Sequence, residues 1–372
     1  MGKLKIVIVS RAILPTNAPR AFRATELAKV LAKKGHKVKL MAVLGSHDYG
    51  TFERETGVEV VDIGTPTIAT RNSDGKLKLP LWKLGLIFFF RKLLEFPDIL
   101  LMKKVKKAIL QQGDFDMLIT VAVPYPIHWG ASLIKQKERR FTTWVSDCGD
   151  PYMGNDMGSR MFYFKYIEKW WGRKTDYISV PVDDARGSYY PEFKDKIVVI
   201  PQGFDFEDVH NEEYLENNVP TFLYAGALYK GKRDPKNFLD FLCTLENEFK
   251  FIVYSGHTNH FDSYRSILKD KLEIRPLIER DILMKEMSKM DFLVNISNKG
   301  TTAQVPSKLI DYALTQRPIL EISSEFTDVE KNTFQSFLIK DYRNRLQIDN
   351  IERYDIYNVA NQFLSLYNSL NI

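Results

Sequence analysis

The chain reads as an α/β protein made of two Rossmann-like domains, with mostly parallel sheets facing across a cleft. Three observations predict this. Short β-branched runs alternate with helical stretches along nearly the whole length, the pattern of a parallel sheet with helices packed on it. That pattern opens twice in the same way, at Lys5-Ile-Val-Ile-Val-Ser10 and at Thr221-Phe-Leu-Tyr-Ala-Gly226. At 372 residues the chain is long enough for two domains of ordinary size, each with its own core.

The first opening leads through a loop into a helix from about Arg20 to Lys34, which Gly35 terminates as a C-cap, and then into the strand His36–Ala42. Strand, loop, helix, strand is the first unit of a nucleotide-binding sheet. Further strands are predicted at Met117–Val121, Thr142–Val145, Tyr177–Val180 and Ile197–Ile200, with helices at Ile127–Lys137 and Phe162–Arg173. The second opening passes through a charged loop into a helix, Phe238–Leu245, and a strand, Phe249–Ser255. Strands at Leu272–Ile274, Leu293–Ile296 and Pro318–Ile322 complete it. The first domain is therefore placed at 1–203 and the second at 204–354, joined through Pro201–Glu207. The last helix, within 355–372, can pack back on the first domain.

A composition of 44% hydrophobic and 27% charged residues is that of a globular protein. Two cysteines far apart, Cys148 and Cys243, exclude a disulfide framework and fit a reducing compartment. The N-terminus runs straight into a strand, so no signal peptide is visible. The apolar run Leu84–Phe90 is too short to cross a bilayer, and a cytoplasmic location is expected. Residues 76–107 carry nine basic residues against Glu95 and Asp98, a net +7 that exceeds the +6 of the whole chain. Trp82, Phe88, Phe89 and Phe90 lie among them. Such a segment either rests on an anionic membrane, at the inner face of the plasma membrane, or is a core helix with solvated lysines. Nucleic acid is not expected, because the positive charge is confined to one place and no matching motif accompanies it.

The chemistry concentrates near carboxyl ends of predicted strands, where open α/β sheets bind ligands. After the run Asp291–Ile296 comes Val305-Pro-Ser-Lys-Leu-Ile-Asp311. Pro306 can start a helix, which puts Ser307 and Lys308 in a first turn whose free N–H groups favour an anion. A lysine there opposes the helix dipole unless an anion lies between them. Asp311, one turn on, can accept hydrogen bonds from sugar hydroxyls. Gly226 is followed by Lys230, Lys232 and Arg233, residues suited to phosphate oxygens. Asp114-Phe-Asp116 resembles a metal-binding pair but precedes its strand, on the wrong edge, so no metal is expected. His128 opens a helix after the strand Met117–Val121. Asp147 and Asp150 follow Thr142–Val145, where two carboxylates can deprotonate an acceptor or hold a loop. Arg20 and Arg23, three apart, can contact an acceptor or pair with local acids.

These pieces, in register, resemble a GT-B glycosyltransferase, specifically glycosyltransferase family 4 and its polysaccharide-assembly members. Arg23-Ala-Thr-Glu-Leu-Ala28 and Gly35-His-Lys-Val38 are similar to the family's first helix and following strand. Pro124-Tyr-Pro-Ile-His128 resembles the loop of its active-site histidine. Trp144-Val-Ser-Asp-Cys-Gly-Asp-Pro-Tyr152, Val199-Ile-Pro-Gln-Gly-Phe-Asp205 and Tyr224–Pro235 resemble three further family stretches, and Lys308-Leu-Ile-Asp-Tyr312 its donor-domain helix.

The resemblance implies transfer of a sugar from a nucleotide-diphosphate donor to a glycan or lipid-linked glycan, with retained configuration and without metal or resident cofactor. It implies a donor site at Gly226, Lys230, Lys232, Arg233, Val305, Pro306, Ser307, Lys308 and Asp311, catalytic roles for His128, Asp147 and Asp150, and acceptor contacts from Arg20 and Arg23. Two departures stand out. Ala303 occupies the place of a usual glutamate, and Thr16-Asn-Ala-Pro19 stands where glycines are common. An epimerase of the same fold and a catalytically inactive nucleotide-sugar-binding protein are the alternatives. A dinucleotide-dependent enzyme ranks last, because no Gly-x-Gly-x-x-Gly follows the first strand.

Overall fold

The computed structural model describes residues 2–16, 18–66, 81–155, 160–207, 209–231, 233–297 and 307–369. Among the described residues, twelve strands form two sheets in which every pairing is parallel. The first holds β1 (Lys5–Val9), β2 (Lys37–Ala42), β3 (Glu59–Asp62), β4 (Phe115–Ala122), β5 (Phe141–Cys148), β6 (Tyr177–Val180) and β7 (Ile197–Val199), in the order β3-β2-β1-β4-β5-β6-β7. The second holds β8 (Thr221–Ala225), β9 (Lys250–Tyr254), β10 (Leu272–Arg275), β11 (Phe292–Ile296) and β12 (Ile319–Ile322), in the order β10-β9-β8-β11-β12. Each order reverses once, between β1 and β4 and between β8 and β11. In such sheets the crevice beyond the carboxyl ends at the reversal is where ligands bind.

The chain divides into two compact units. One comprises Met1–Phe204 with Arg353–Ile372, the other Asp205–Glu352. The terminal helix Ile356–Ser369 belongs to the first unit by its packing. Val359, Ala360, Phe363 and Leu364 fall on one face and enter the core that Ile6, Ile8, Leu27 and Leu31 also form. Burying a side chain the size of Phe363 stabilises by roughly 1.5–3 kcal/mol.

Central strands are buried on both faces, hence their nearly unbroken apolar runs. The helix predicted over 127–137 is shorter, Pro126–Ser132. Past it the chain turns at Gln136–Glu138, where Glu138 accepts from Lys135 N–H at 3.0 Å and pairs with Lys106. The elements with no counterpart among the predicted ones include β3 and the helices Gly50–Thr56, Arg280–Ser288 and Asp328–Leu338. The last carried a readable start signal. Thr327 and Glu330 form a reciprocal capping box, with Glu330 accepting from Thr327 N–H and Thr327 accepting from Glu330 N–H.

Candidate functional site

In the second unit, Gly226 follows β8 at the sheet reversal with φ of +137°, a conformation that glycine adopts without steric cost. A side chain there would touch Lys308, whose Cδ lies 3.7 Å from the position of a Cβ. Lys308 extends from the first turn of the helix Ser307–Leu314 over the ring of Tyr224, 4.5 Å from Nζ to the ring centre. Its Nζ is sealed from solvent and, among the described residues, has no hydrogen-bond partner. Arg233 closes the adjoining loop by a two-way backbone pairing with Tyr229, 3.0 Å each way, and its Nη1 donates to Ala227 O at 3.3 Å. Its Nε is also buried without a partner among the described residues. Burial, reinforced by the like charge of Arg233 and opposed by Glu321, pushes the Lys308 ammonium well below the usual lysine range. A buried ammonium and a buried guanidinium N–H, each without an acceptor among the described residues, are unfavourable by themselves. An anion between them would reverse the sign.

Asp311 lies one turn along the same helix. Arg280, at the start of the helix Arg280–Ser288, donates to Asp311 Oδ1 from Nε at 3.0 Å and from Nη2 at 2.7 Å. Burial raises the Asp311 carboxyl above the usual range, and Arg280 opposes the rise. Nothing in the sequence pointed to Arg280, because its partner is 31 residues away. Lys230 is exposed on the loop tip. Ser307 begins the helix. Lys232, Val305 and Pro306, like Ala303, lie outside the described residues.

In the first unit, Arg20 and Arg23 share the helix Pro19–Lys33 but not an environment. Arg23 is buried. Its Nε and Nη2 reach Asp147 Oδ2 and Oδ1, both at 3.0 Å, and it also donates to the carbonyls of Ile200 and Pro201. Ser179 Oγ donates to Asp147 Oδ1 at 2.8 Å. Burial alone would raise the Asp147 carboxyl; Arg23, Arg20 and Ser179 more than cancel that and hold it below the usual range. Arg20 is half-buried, its guanidinium laid on Gly149, where an added Cβ would fall 1.8 Å from it. Gly149 thus gives Arg20 its seat beside Asp147 and Asp150. Asp150 offers its backbone carbonyl to Tyr125 OH at 2.5 Å.

His128 is fully buried, and both ring nitrogens are engaged. Trp144 Nε1 donates to Thr120 Oγ1 at 2.9 Å, and Thr120 Oγ1 lies 2.7 Å from His128 Nδ1. Cys148 Sγ is 3.4 Å from Nε2. With Trp144 as a fixed donor, Thr120 is free to donate onward, which leaves the proton on Nε2, facing the thiol. Burial drops the imidazole to about 3 and the Asp147 charge opposes this only weakly, so the ring is neutral. The described contacts of His128 are all with its own unit. Asp116, of the Asp114-Phe-Asp116 pair, accepts from Lys5 N–H at 2.7 Å, at the amino edge of the sheet.

No protein-family model matches the sequence, and no curated protein matches it. Solved structures do match over the full length. A glycosyltransferase from Rickettsia africae ESF-5 is 13% identical, with 100% of this chain and 99% of that one aligned at a TM-score of 0.64. The lipopolysaccharide outer core galactosyltransferase WaaB, in its apo form, is 12% identical over 98% and 99% of the two chains, at 0.63. A putative UDP-N-acetylglucosamine 2-epimerase from Listeria monocytogenes is 11% identical over 99% and 97%, at 0.53. At such identities the likeness is one of fold, and the fold is the two-domain α/β architecture of GT-B glycosyltransferases.

Proposed function

We propose that this chain is a nucleotide-sugar-dependent glycosyltransferase that acts on a glycan or lipid-linked glycan, in the assembly of a surface polysaccharide. The observation that supports the reading is a pair of sealed nitrogens, Lys308 Nζ and Arg233 Nε, neither with a hydrogen-bond partner among the described residues, beside the glycine that follows β8 at the sheet reversal. The donor's diphosphate supplies the missing acceptors. When the bond to the sugar breaks, negative charge builds on the terminal phosphate, and fixed cations in a dry site stabilise that charge. In this reading no metal is required. Lys308 and Arg233 do the electrostatic work, with Lys230 and Lys232 adding charge at the loop, and the departing phosphate accepts the acceptor proton in a retaining transfer. Asp311, steadied by Arg280, takes the ribose hydroxyls. His128 and Asp147 act by shaping the acceptor loops, while Arg20 and Asp150 face the acceptor.

The test is a thermal-shift screen against UDP, GDP, ADP, CMP and dTDP sugars, since a ligand of the folded state raises the melting temperature. A shift with one nucleotide series that disappears in Lys308→Ala and Arg233→Ala supports the site. Equal calorimetric affinity in wild type and both variants would sink it. Incubation of the donor without acceptor separates the readings, because an epimerase, whose fold is shared by a matching structure, converts the sugar nucleotide on its own.

A further inference from the structure

We propose that an aromatic and basic surface on the first unit, built from the end of the helix Leu81–Leu94 and the stretch leading into the helix Phe164–Lys174, binds anionic lipid membranes. Lys76 and Lys78 of the basic segment lie outside the described residues, and the rest of it, 81–107, divides into two parts that behave differently. The helix Leu101–Leu110 buries Leu101, Val105, Ala108 and Ile109, and its Lys106 pairs with Glu138 at 3.0 Å. It is a core helix with a solvated face. The end of the helix Leu81–Leu94 instead exposes Phe89 by 56%, Phe90 by 39% and Leu94 by 44%.

A second segment, outside the basic stretch, adds Phe162 and Tyr166, exposed by 70% and 62%. The two segments are fastened together. Tyr163 OH donates to Leu93 O at 2.5 Å, and Arg160 Nε and Tyr152 OH both donate to Glu95 Oε1 at 3.2 Å. Five large apolar side chains therefore face water around one anchored helix end. Such patches mark interaction surfaces.

The charge around the patch selects the partner. Arg91 and Lys92 are exposed, and Lys165 lies 5.0 Å from the Tyr166 ring centre. The described carboxylates at the helix end are occupied, Glu95 by Arg160 and Asp98 by Arg11 at 3.3 Å. Aromatic rings rimmed by basic groups match the apolar boundary and anionic headgroups of a lipid surface. Tyr152, which ties the patch to the helix end, stands two residues after Asp150 in the stretch that follows β5, so the patch is fastened to that stretch. The inference does not depend on the transferase reading.

The full chain is tested by co-sedimentation with vesicles of phosphatidylcholine alone or mixed with phosphatidylglycerol. Binding to the mixed vesicles at about 0.05 M salt, falling steeply at about 0.5 M, is expected. Arg91→Gln with Lys92→Gln should weaken it roughly 30-fold, and Phe89→Ser with Phe162→Ser roughly 100-fold. All four side chains are exposed, so melting curves and nucleotide thermal shifts should match wild type, which separates this test from that of the donor site. The proposal is overturned by no binding to mixed vesicles at low salt, by equal binding to both vesicle types, or by wild-type binding in both variants. A wild-type dimer that the Phe variant dissociates, without vesicle binding, would overturn it too and assign the face to a second copy.

Discussion

Arg23 and Asp147, 124 residues apart in sequence, meet side on, with two nitrogens at 3.0 Å from two different oxygens and side chains only 2% and 4% exposed. Removing one partner strands the other charge in the interior. Arg23→Ala and Asp147→Ala should each lower unfolding free energy by about 3–5 kcal/mol in urea titrations, and Arg23→Met with Asp147→Leu should recover much of it. Because the Asp147 carboxyl is held low, the pair's contribution is complete above the unfolded-state carboxylate range. It is lost as pH falls through the folded-state value. A pH-independent cost down to strong acid would contradict this ion pairing.

Lys308→Met should act in opposite directions on two measurements. It removes a sealed charge without a partner, so the ligand-free protein should melt higher. In the proposed donor site it would also remove a phosphate contact, so nucleotide affinity should fall at least about tenfold, as for a charge-assisted hydrogen bond. A lysine whose folded-state value is lowered makes wild-type stability climb with pH, from that value up to the ordinary lysine range. The variant should lose this climb.

Glu168 offers a second pH probe, in the first unit. It is fully buried, and among the described residues neither carboxylate oxygen accepts a well-aligned hydrogen bond. Burial lifts the carboxyl to about 7, with Met153 N–H and Arg160 opposing. The folded protein therefore holds this proton more tightly than the unfolded chain. Stability is lost as pH rises from about 4.5 to 7, by on the order of 3 kcal/mol. Glu168→Gln should be neutral near pH 4.5 and stabilising above pH 7; denaturation midpoints across that range decide it.

Arg280→Ala should weaken nucleotide binding by about tenfold, and most for nucleotides that keep both ribose hydroxyls. Without Arg280 nothing opposes the upward push of burial on Asp311, and a protonated carboxyl is a poorer acceptor. Calorimetry of a nucleotide and its dideoxy counterpart at several pH values measures this. An unchanged ratio between the two would separate Arg280 and Asp311 from ribose recognition.

Gly149→Ala should resemble Arg20→Ala. The new methyl takes the place of the Arg20 guanidinium, which is the free end of a long side chain, so it moves aside and stability changes by less than about 1 kcal/mol. Acceptor KM should rise by a similar factor in either variant and no further in the double variant, since both remove one interaction.

The fold was legible because parallel strands buried on both faces write nearly unbroken apolar runs, as Ile6–Val9 and Phe292–Val294 do. Edge strand β3 has only Val60 and Val61 between acids, too weak a signal to read. The helix Arg280–Ser288 buries only Met284, Met287 and Ser288 among four charged residues, too narrow an apolar face to stand out. At the site, sequence could bring Gly226, Arg233 and Lys308 to one sheet edge, because each follows a strand whose direction is fixed. It could not see that Arg23 turns inward to Asp147, that Arg280 holds Asp311, or that His128 has both nitrogens engaged. Those facts depend on which side chains meet across strands, and spacing along the chain does not encode that.

The terminal helix has a consequence for how the protein is made. Phe204 N–H bonds to Tyr354 O at 2.8 Å and Ile356 N–H to Phe204 O at 2.9 Å, so the chain leaves the first unit and re-enters it at one spot. On the ribosome, everything from Asp205 to Glu352 is synthesised before Val359, Ala360, Phe363 and Leu364 can close the first core. The second unit, though later in the sequence, is the first whose chain is complete, and domains fold as units during synthesis. A released chain truncated before Ile356 should carry a protease-resistant second unit behind an unfinished first one.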